Sequence, residues 1–198
     1  MIVLGVTGSI AMGKSTACAL LRAQGVPVHD ADATVHALFD RGGLAVPAIA
    51  AAFPGVVVDG CVDRTLLGPC VLGQPEALKR LEGIVHPLVR AEEKRFLDLH
   101  RRAGRDIVAL DIPLLFETGG EGRCDATLVV SAPAFLQRQR ALRRPGMTPQ
   151  KLAAILARQM PDAQKRRRAD YIVPSGLGRA VTWRALARIL AAVRQKGL

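Results

Sequence analysis

The run Gly8-Ser9-Ile10-Ala11-Met12-Gly13-Lys14-Ser15 constrains this chain most, because it joins a strand-length apolar segment to a helix through two glycines at fixed spacing. Ile2-Val3-Leu4-Gly5-Val6 precedes it as a predicted strand. From Ser15 to Gln24, Ala17, Leu20 and Leu21 recur at helical spacing, and Gly25 stands as a stop. Strand, glycine loop and helix start make a cradle in which successive amides and the helix N-terminus face polyanionic oxygen. The spacing fits G-x-x-x-x-G-K-[ST], the loop that wraps the phosphates of a nucleoside triphosphate. In that chemistry the stretch Gly8 to Thr16 holds ATP, Lys14 reaches the β- and γ-phosphates, and the Ser15 hydroxyl ligates Mg²⁺. The bland alternative is an ordinary glycine turn between strand and helix.

Strand and helix signals alternate along the rest of the chain. Val26-Pro27-Val28 reads as a short second strand, ending at His29-Asp30-Ala31-Asp32. Ile107 to Leu110, Ala126 to Val130 and Tyr171 to Val173 are continuous apolar runs of the kind buried parallel strands show, the last closed by Pro174. Helices are predicted near 33–39 and from about Arg179 to Arg194. The alternation predicts an α/β fold, a parallel sheet with helices on both faces. Residues 64–102 have helical periodicity without a strand signal and are too long for one crossover helix. They read as a helical insertion beside the sheet, and residues 137–168 as a second.

A chain of 198 residues, 49% of them hydrophobic, suits one domain with appendages. No apolar stretch reaches the roughly 18 residues of a membrane span, and no basic segment precedes the first apolar run. Cys18, Cys61, Cys70 and Cys124 lack metal-site spacing and read as incidental thiols of a reducing compartment, so a cytoplasmic protein is expected. The net charge of +11 suits a nucleic-acid binder, a membrane-surface protein or an enzyme with polyphosphate substrates. The densest basic run, Lys165-Arg166-Arg167-Arg168, reads as a solvated helix face rather than a nucleic-acid patch. With aromatics at 4% and none interleaved with basic residues, no stacking platform for single strands is expected. The expected partners are small molecules, with no nucleic acid and no membrane, for a monomer or weak homo-oligomer.

Four further marks carry chemistry. Asp30 and Asp32 stand two apart at the carboxyl end of the second strand, where open parallel sheets bind ligands. That spacing puts both carboxylates on one side, where one can deprotonate a hydroxyl; the alternative is an N-cap, which suits Asp30. Arg138, Arg140, Arg143 and Arg144, ahead of the Pro145-Gly146 break, form either a mobile supply of guanidinium for a transferring phosphoryl group or an exposed basic helix. Asp111 ends the run 107–110, the place of a carboxylate that holds Mg²⁺ through water, or is a solvated loop residue. His86, before Pro87, is on its own more often a structural residue than a catalyst.

Together these residues resemble one family, the dephospho-CoA kinases. The shared pattern adds Asp63-Arg64 with Leu67, His86-Pro87 with Arg90, and Pro113-Leu114-Leu115-Phe116-Glu117. It continues with Gln137, Arg140 and Arg144, then Gln159, Lys165, Ala169 and Asp170. The resemblance implies a P-loop core like that of nucleoside-monophosphate kinases, over about 1–60, 104–136 and 169–198. A helical CoA-binding region over about 61–103 and a lid over about 137–168 would complete it. It implies ATP- and Mg²⁺-dependent phosphorylation of the ribose 3′-hydroxyl of dephospho-CoA, with Asp32 as base and Arg140 and Arg144 closing from the lid. Arg64, His86 and Glu117 would fall near the acceptor.

The chain departs from the family pattern in places. Ala11 replaces a usual glycine and should confine that position to negative φ, and Met12 replaces a small polar residue. Ser175 replaces an asparagine after the last strand, which touches a contact near the adenine. The rival readings are another small-molecule P-loop kinase and a non-catalytic nucleotide-binding switch.

Overall fold

The apolar runs assemble as one sheet in the computed structural model, which describes residues 1–196. In chain order, its first half comprises β1 (Ile2–Thr7), α1 (Lys14–Ala23), β2 (Val28–Asp30), α2 (Ala31–Phe39), α3 (Val46–Ala52), β3 (Val57–Val58), β4 (Cys61–Val62), α4 (Arg64–Val71) and α5 (Pro75–Arg102). The second half comprises β5 (Ile107–Asp111), β6 (Ala126–Ser131), α6 (Ala134–Leu142), α7 (Pro149–Arg158), α8 (Asp162–Arg168), β7 (Tyr171–Pro174) and α9 (Arg179–Lys196). The five long-range strands run in the order β2-β5-β1-β6-β7.

β1 pairs in parallel with β5 on one side and β6 on the other, and β6 with β7. The register sets Val6 opposite Asp111, Thr7 opposite Val129 and Ser131 opposite Pro174. Carboxyl ends of four strands therefore meet at one edge, where ligands of such sheets bind. Leu4, Val6, Ile107, Ala109, Leu128, Val130 and Val173 pack with Ala17, Cys18, Leu20 and Leu21 of α1 and Leu186, Leu190 and Val193 of α9. Burial on both faces explains why these strands read as unbroken apolar runs. Among the described residues, no helix is long and apolar enough to cross a membrane.

Contacts divide the chain into two units, residues 1–29 with 100 onward, and residues 30–99. The second has its own core, in which Leu38, Phe39, Ile49 and Phe53 pack with Val62, Leu67, Val71 and Val85. Residues 30–60, grouped with the nucleotide core from sequence, thus pack with the helical segment, because α2 and α3 bury their apolar faces there. The helical insertion expected over 64–102 is present as α4 and α5. Pro87 lies inside α5 and offers no proton to the carbonyl of Gly83, but that face is exposed and water can take the freed oxygen. The hairpin β3–β4 turns at Asp59 and Gly60, both with positive φ (50° and 78°), as a tight two-residue turn requires.

Gly8 leaves β1 pressed against β6: a Cβ there would lie 2.7 Å from the carbonyl oxygen of Val130. Backbone cannot move aside as a side chain can. Gly8→Ala should therefore cost about 1–3 kcal/mol and lower the melting temperature by roughly 2–10 °C; an unchanged thermal melt would show that the strand edge yields.

Candidate active site

The glycine loop spans the gap between Thr7, the last residue of β1, and Lys14, the first of α1. Gly13 occupies the N-cap position with φ 92°, and α1 has neither a side-chain cap nor an acid in its first turn. Its first amides are thus presented with Ser15 and Thr16, both exposed, at the start of the helix.

Ala11 does not keep to negative φ as expected; it adopts φ 60°. The left-handed region costs an L-residue about 1–2 kcal/mol. Its methyl is buried with Ala141 and Leu152, against Ile10, Leu142 and Met147, and that burial offsets part of the cost. The loop keeps a glycine-like turn without a glycine. Ile10 is held from both sides: its amide donates to Gln159 Oε1 (3.0 Å), and its carbonyl accepts from Gln137 Nε2 (2.9 Å). Its amide, expected to face ATP, is thus committed to Gln159. Met12 is buried; its sulfur accepts from the amide of Ala132 (3.2 Å), and its carbonyl accepts from Ser175 Oγ.

Lys14 Nζ pairs with Asp111 Oδ1 at the end of β5, which the β1–β5 register places beside the loop. Asp111 is buried, so it is no solvated loop residue. Burial and then the Asp111 charge push the neighbouring Cys18 thiol up to about 12. That sulfur stays protonated and inert, as expected of an incidental thiol. Magnesium suits the donor set. It binds through one or two hard oxygens plus substrate phosphates, and Asp111 and Ser15 supply a carboxylate and a hydroxyl.

The arginines divide by environment. Arg138, Arg143 and Arg144 are exposed, while Arg140 is half-buried and bonded to Ser175. Glu117 carries an ion pair with Lys165 (2.8 Å) and accepts from the amide of Met160 (2.8 Å). Burial alone would raise its carboxyl; Lys165 and the Met160 amide outweigh that and hold it below the ordinary glutamate range. Lys165 is fully buried, which corrects the solvated reading at that one position, while the other three residues of the run 165–168 are exposed as expected. A buried ammonium needs a counter-charge, and Glu117 is it. Arg168 pairs with Glu121 and lies over the Phe116 ring (5.0 Å); Arg166 and Arg167 are exposed.

Four residues singled out in the sequence lie in the second unit. Asp30 ends β2 and caps α2, accepting from the amide of Ala33 (2.9 Å). α2 starts at Ala31, so strand alternation stops at Asp30 and Asp32 stands in the first helical turn, not on the strand face expected. The Asp32 carboxylate is exposed, with no hydrogen bond or ion pair among the described residues. Arg64 Nη1 donates to His36 Nε2 (3.0 Å) and its guanidinium lies over Phe39 (5.2 Å), on a helix capped by Asp63. His86 is exposed in mid-α5. The contributions of Gln137, Gln159 and Ser175 to the loop were missed; they lie 127 to 163 residues from their loop partners, beyond any local pattern.

Polyphosphate is the ligand this loop suits, and the fold with its lysine and flanking arginine is that of a P-loop kinase. The sequence model of the family described as dephospho-CoA kinase matches residues 2–177. A dephospho-CoA kinase of Paramagnetospirillum magneticum is 71% identical over 166 residues, 84% of this chain and 78% of its own. One of Rhodospirillum rubrum is 57% identical over 97% of this chain and 92% of its own. Among solved structures, a Thermus thermophilus protein superposes with a TM-score of 0.81 at 38% identity, covering 96% of this chain and 97% of its own. The dephospho-CoA kinase of Campylobacter jejuni does so at 0.72 and 25%, covering 99% and 98%. The chain belongs to the dephospho-CoA kinase family.

Removing one partner of a buried pair leaves an uncompensated charge. Because Glu117 keeps some exposure and the Met160 amide, Lys165→Met should cost less than a fully buried orphan charge would, about 1–3 kcal/mol at neutral pH. Because the folded carboxyl of Glu117 is lowered, its stabilisation is present above the ordinary glutamate range and lost as pH falls through the lowered value. In the variant Glu117 must protonate instead, so the deficit should shrink toward about pH 4.5. Urea melts of both proteins at several pH values check this; a deficit independent of pH would mean Glu117 is not its source.

Proposed function

We infer that the chain transfers the γ-phosphoryl group of ATP to the ribose 3′-hydroxyl of dephospho-CoA, giving coenzyme A and ADP, the last step of coenzyme A synthesis. The observation that carries the reading is the family match over residues 2–177, which spans both the phosphate loop and the second unit. In the reaction a bond forms between the 3′-oxygen and the γ-phosphorus. The bond to the β–γ bridging oxygen breaks, ADP leaves, and the hydroxyl proton passes to a carboxylate.

Asp32 is the base in this reading, supported by its exposed, uncommitted carboxylate in the first turn of α2. Lys14 and the amides at the start of α1 hold the phosphates, and Arg140 neutralises charge on the transferring group, with Arg144 joining from the lid. Arg64, His86 and Glu117 serve the acceptor side, Glu117 indirectly through the loop it braces against Lys165. Mg²⁺ would be held by Ser15 and, through water, Asp111; when bound it neutralises phosphate charge. The segments 61–103 and 137–168 act as CoA-binding region and lid, in a cytoplasmic enzyme.

The test is steady-state phosphorylation by the purified protein with labelled ATP, offered dephospho-CoA, nucleosides and nucleotides in parallel. Turnover should be confined to dephospho-CoA; a preference for a nucleoside acceptor would overturn the reading. Asp32→Asn should lower kcat about 10²–10⁴-fold with KM for both substrates little changed, since the amide keeps the size and loses the basicity. Asp30→Asn should spare kinetics and cost a few tenths of a kcal/mol at most, because asparagine caps about as well. If Asp30→Asn proves inactive and Asp32→Asn active, the base is the other carboxylate.

A further inference from the structure

Arg140 is not left free in solvent. Its Nη1 donates to Ser175 Oγ (3.1 Å) and its Nη2 to the Ser175 carbonyl (2.8 Å), a two-pronged grip that only a planar guanidinium can make. Ser175 is itself held. Its amide donates to the Ser131 carbonyl at the end of β6 (2.9 Å), and its hydroxyl proton goes to the carbonyl of Met12 in the glycine loop. One hydroxyl thus has its proton committed to the loop and a lone pair committed to the arginine. The side chain is buried, at 9% exposure, so neither bond competes freely with water. Gly13 completes the arrangement. A Cβ there would lie 2.9 Å from Ser175 Oγ and 3.6 Å from Arg140 Nη1, so the guanidinium already stands against the phosphate loop.

We propose that Ser175 is a positioning residue for phosphoryl transfer, fixing the Arg140 guanidinium over the phosphate loop by a grip the protein itself supplies. The proposal rests on the reading of Arg140 as the group that meets the transferring phosphoryl. It also divides the labour of the two lid arginines. Arg140 is anchored by the sheet through Ser175. Arg144 is exposed, with no side-chain partner among the described residues, and is ordered only by what binds. A donor fixed in advance needs no reorganisation when charge develops, so its anchor acts on kcat more than on substrate affinity.

A double-mutant cycle tests this, with kcat and both KM values measured for wild type, Ser175→Ala, Arg140→Ala and the double variant, and thermal melts alongside. Arg140→Ala should lower kcat about 100-fold or more. Ser175→Ala should lower kcat about tenfold with KM for ATP within about threefold, and should add no further loss when Arg140 is already alanine. If Ser175→Ala does not fold, Ser175→Cys, which keeps the shape with a weak donor, takes its place in the same cycle. An equal kcat loss in both backgrounds would mean that Ser175 acts on the loop alone, and the proposal falls while the reading of Arg140 stands. Wild-type kcat in Ser175→Ala has the same meaning. Wild-type kcat in Arg140→Ala removes both the reading and the proposal.

Discussion

The parallel register between β1 and β5 is the constraint on which the rest of the site depends. It sets Val6 opposite Asp111, so the carboxylate at the end of one strand meets the lysine that opens the helix after the other. A slip of one residue would turn Asp111 to the opposite face of the sheet and leave Lys14 without a counter-charge. An unpaired charge buried at that strand end would be costly. The pair thus ties the phosphate loop to the sheet interior, and the same two groups are those proposed above to engage the phosphates and their metal.

The loop is also held from outside. Ile10 is bonded at both its amide and its carbonyl by glutamines from α6 and from the end of α7, and Met12 is bonded at its carbonyl by Ser175 and through its sulfur by Ala132. A glycine loop whose backbone must face phosphate gains little rigidity from its own side chains. Here the rigidity comes from polar groups on later elements, and it lets the loop keep Ala11 at positive φ. The buried Lys165–Glu117 pair does similar work one layer out, fastening α8 to the loop that follows β5. Some of the basic residues are therefore structural: Lys165 and Arg168 each pair with a glutamate, and Arg140 is bonded to Ser175.

The sheet was legible because its central strands β5, β1 and β6 are buried on both faces and so read as apolar runs. The phosphate loop was legible because its chemistry demands particular residues at fixed spacing. The small hairpin at 57–62 carried a readable sign that went unused, the Asp59-Gly60 pair between Val57-Val58 and Cys61-Val62. The separate packing of residues 30–60 carried none, since the apolar faces of α2 and α3 are indifferent, in sequence, to which core receives them.

What the sequence by itself determined about this protein is the order of strands and helices, the phosphate loop, and the identities of Lys14, Asp32, Arg140 and the other residues of the family pattern. Tertiary structure alone decided the company each keeps. It committed Glu117 to Lys165, closed the amide of Ile10 with Gln159 and seated Arg140 on Ser175. The reason is one of range. Period and spacing record interactions within a turn or a strand, whereas these partners are separated by 35 to 149 residues and meet only once the sheet register has set the strand ends side by side.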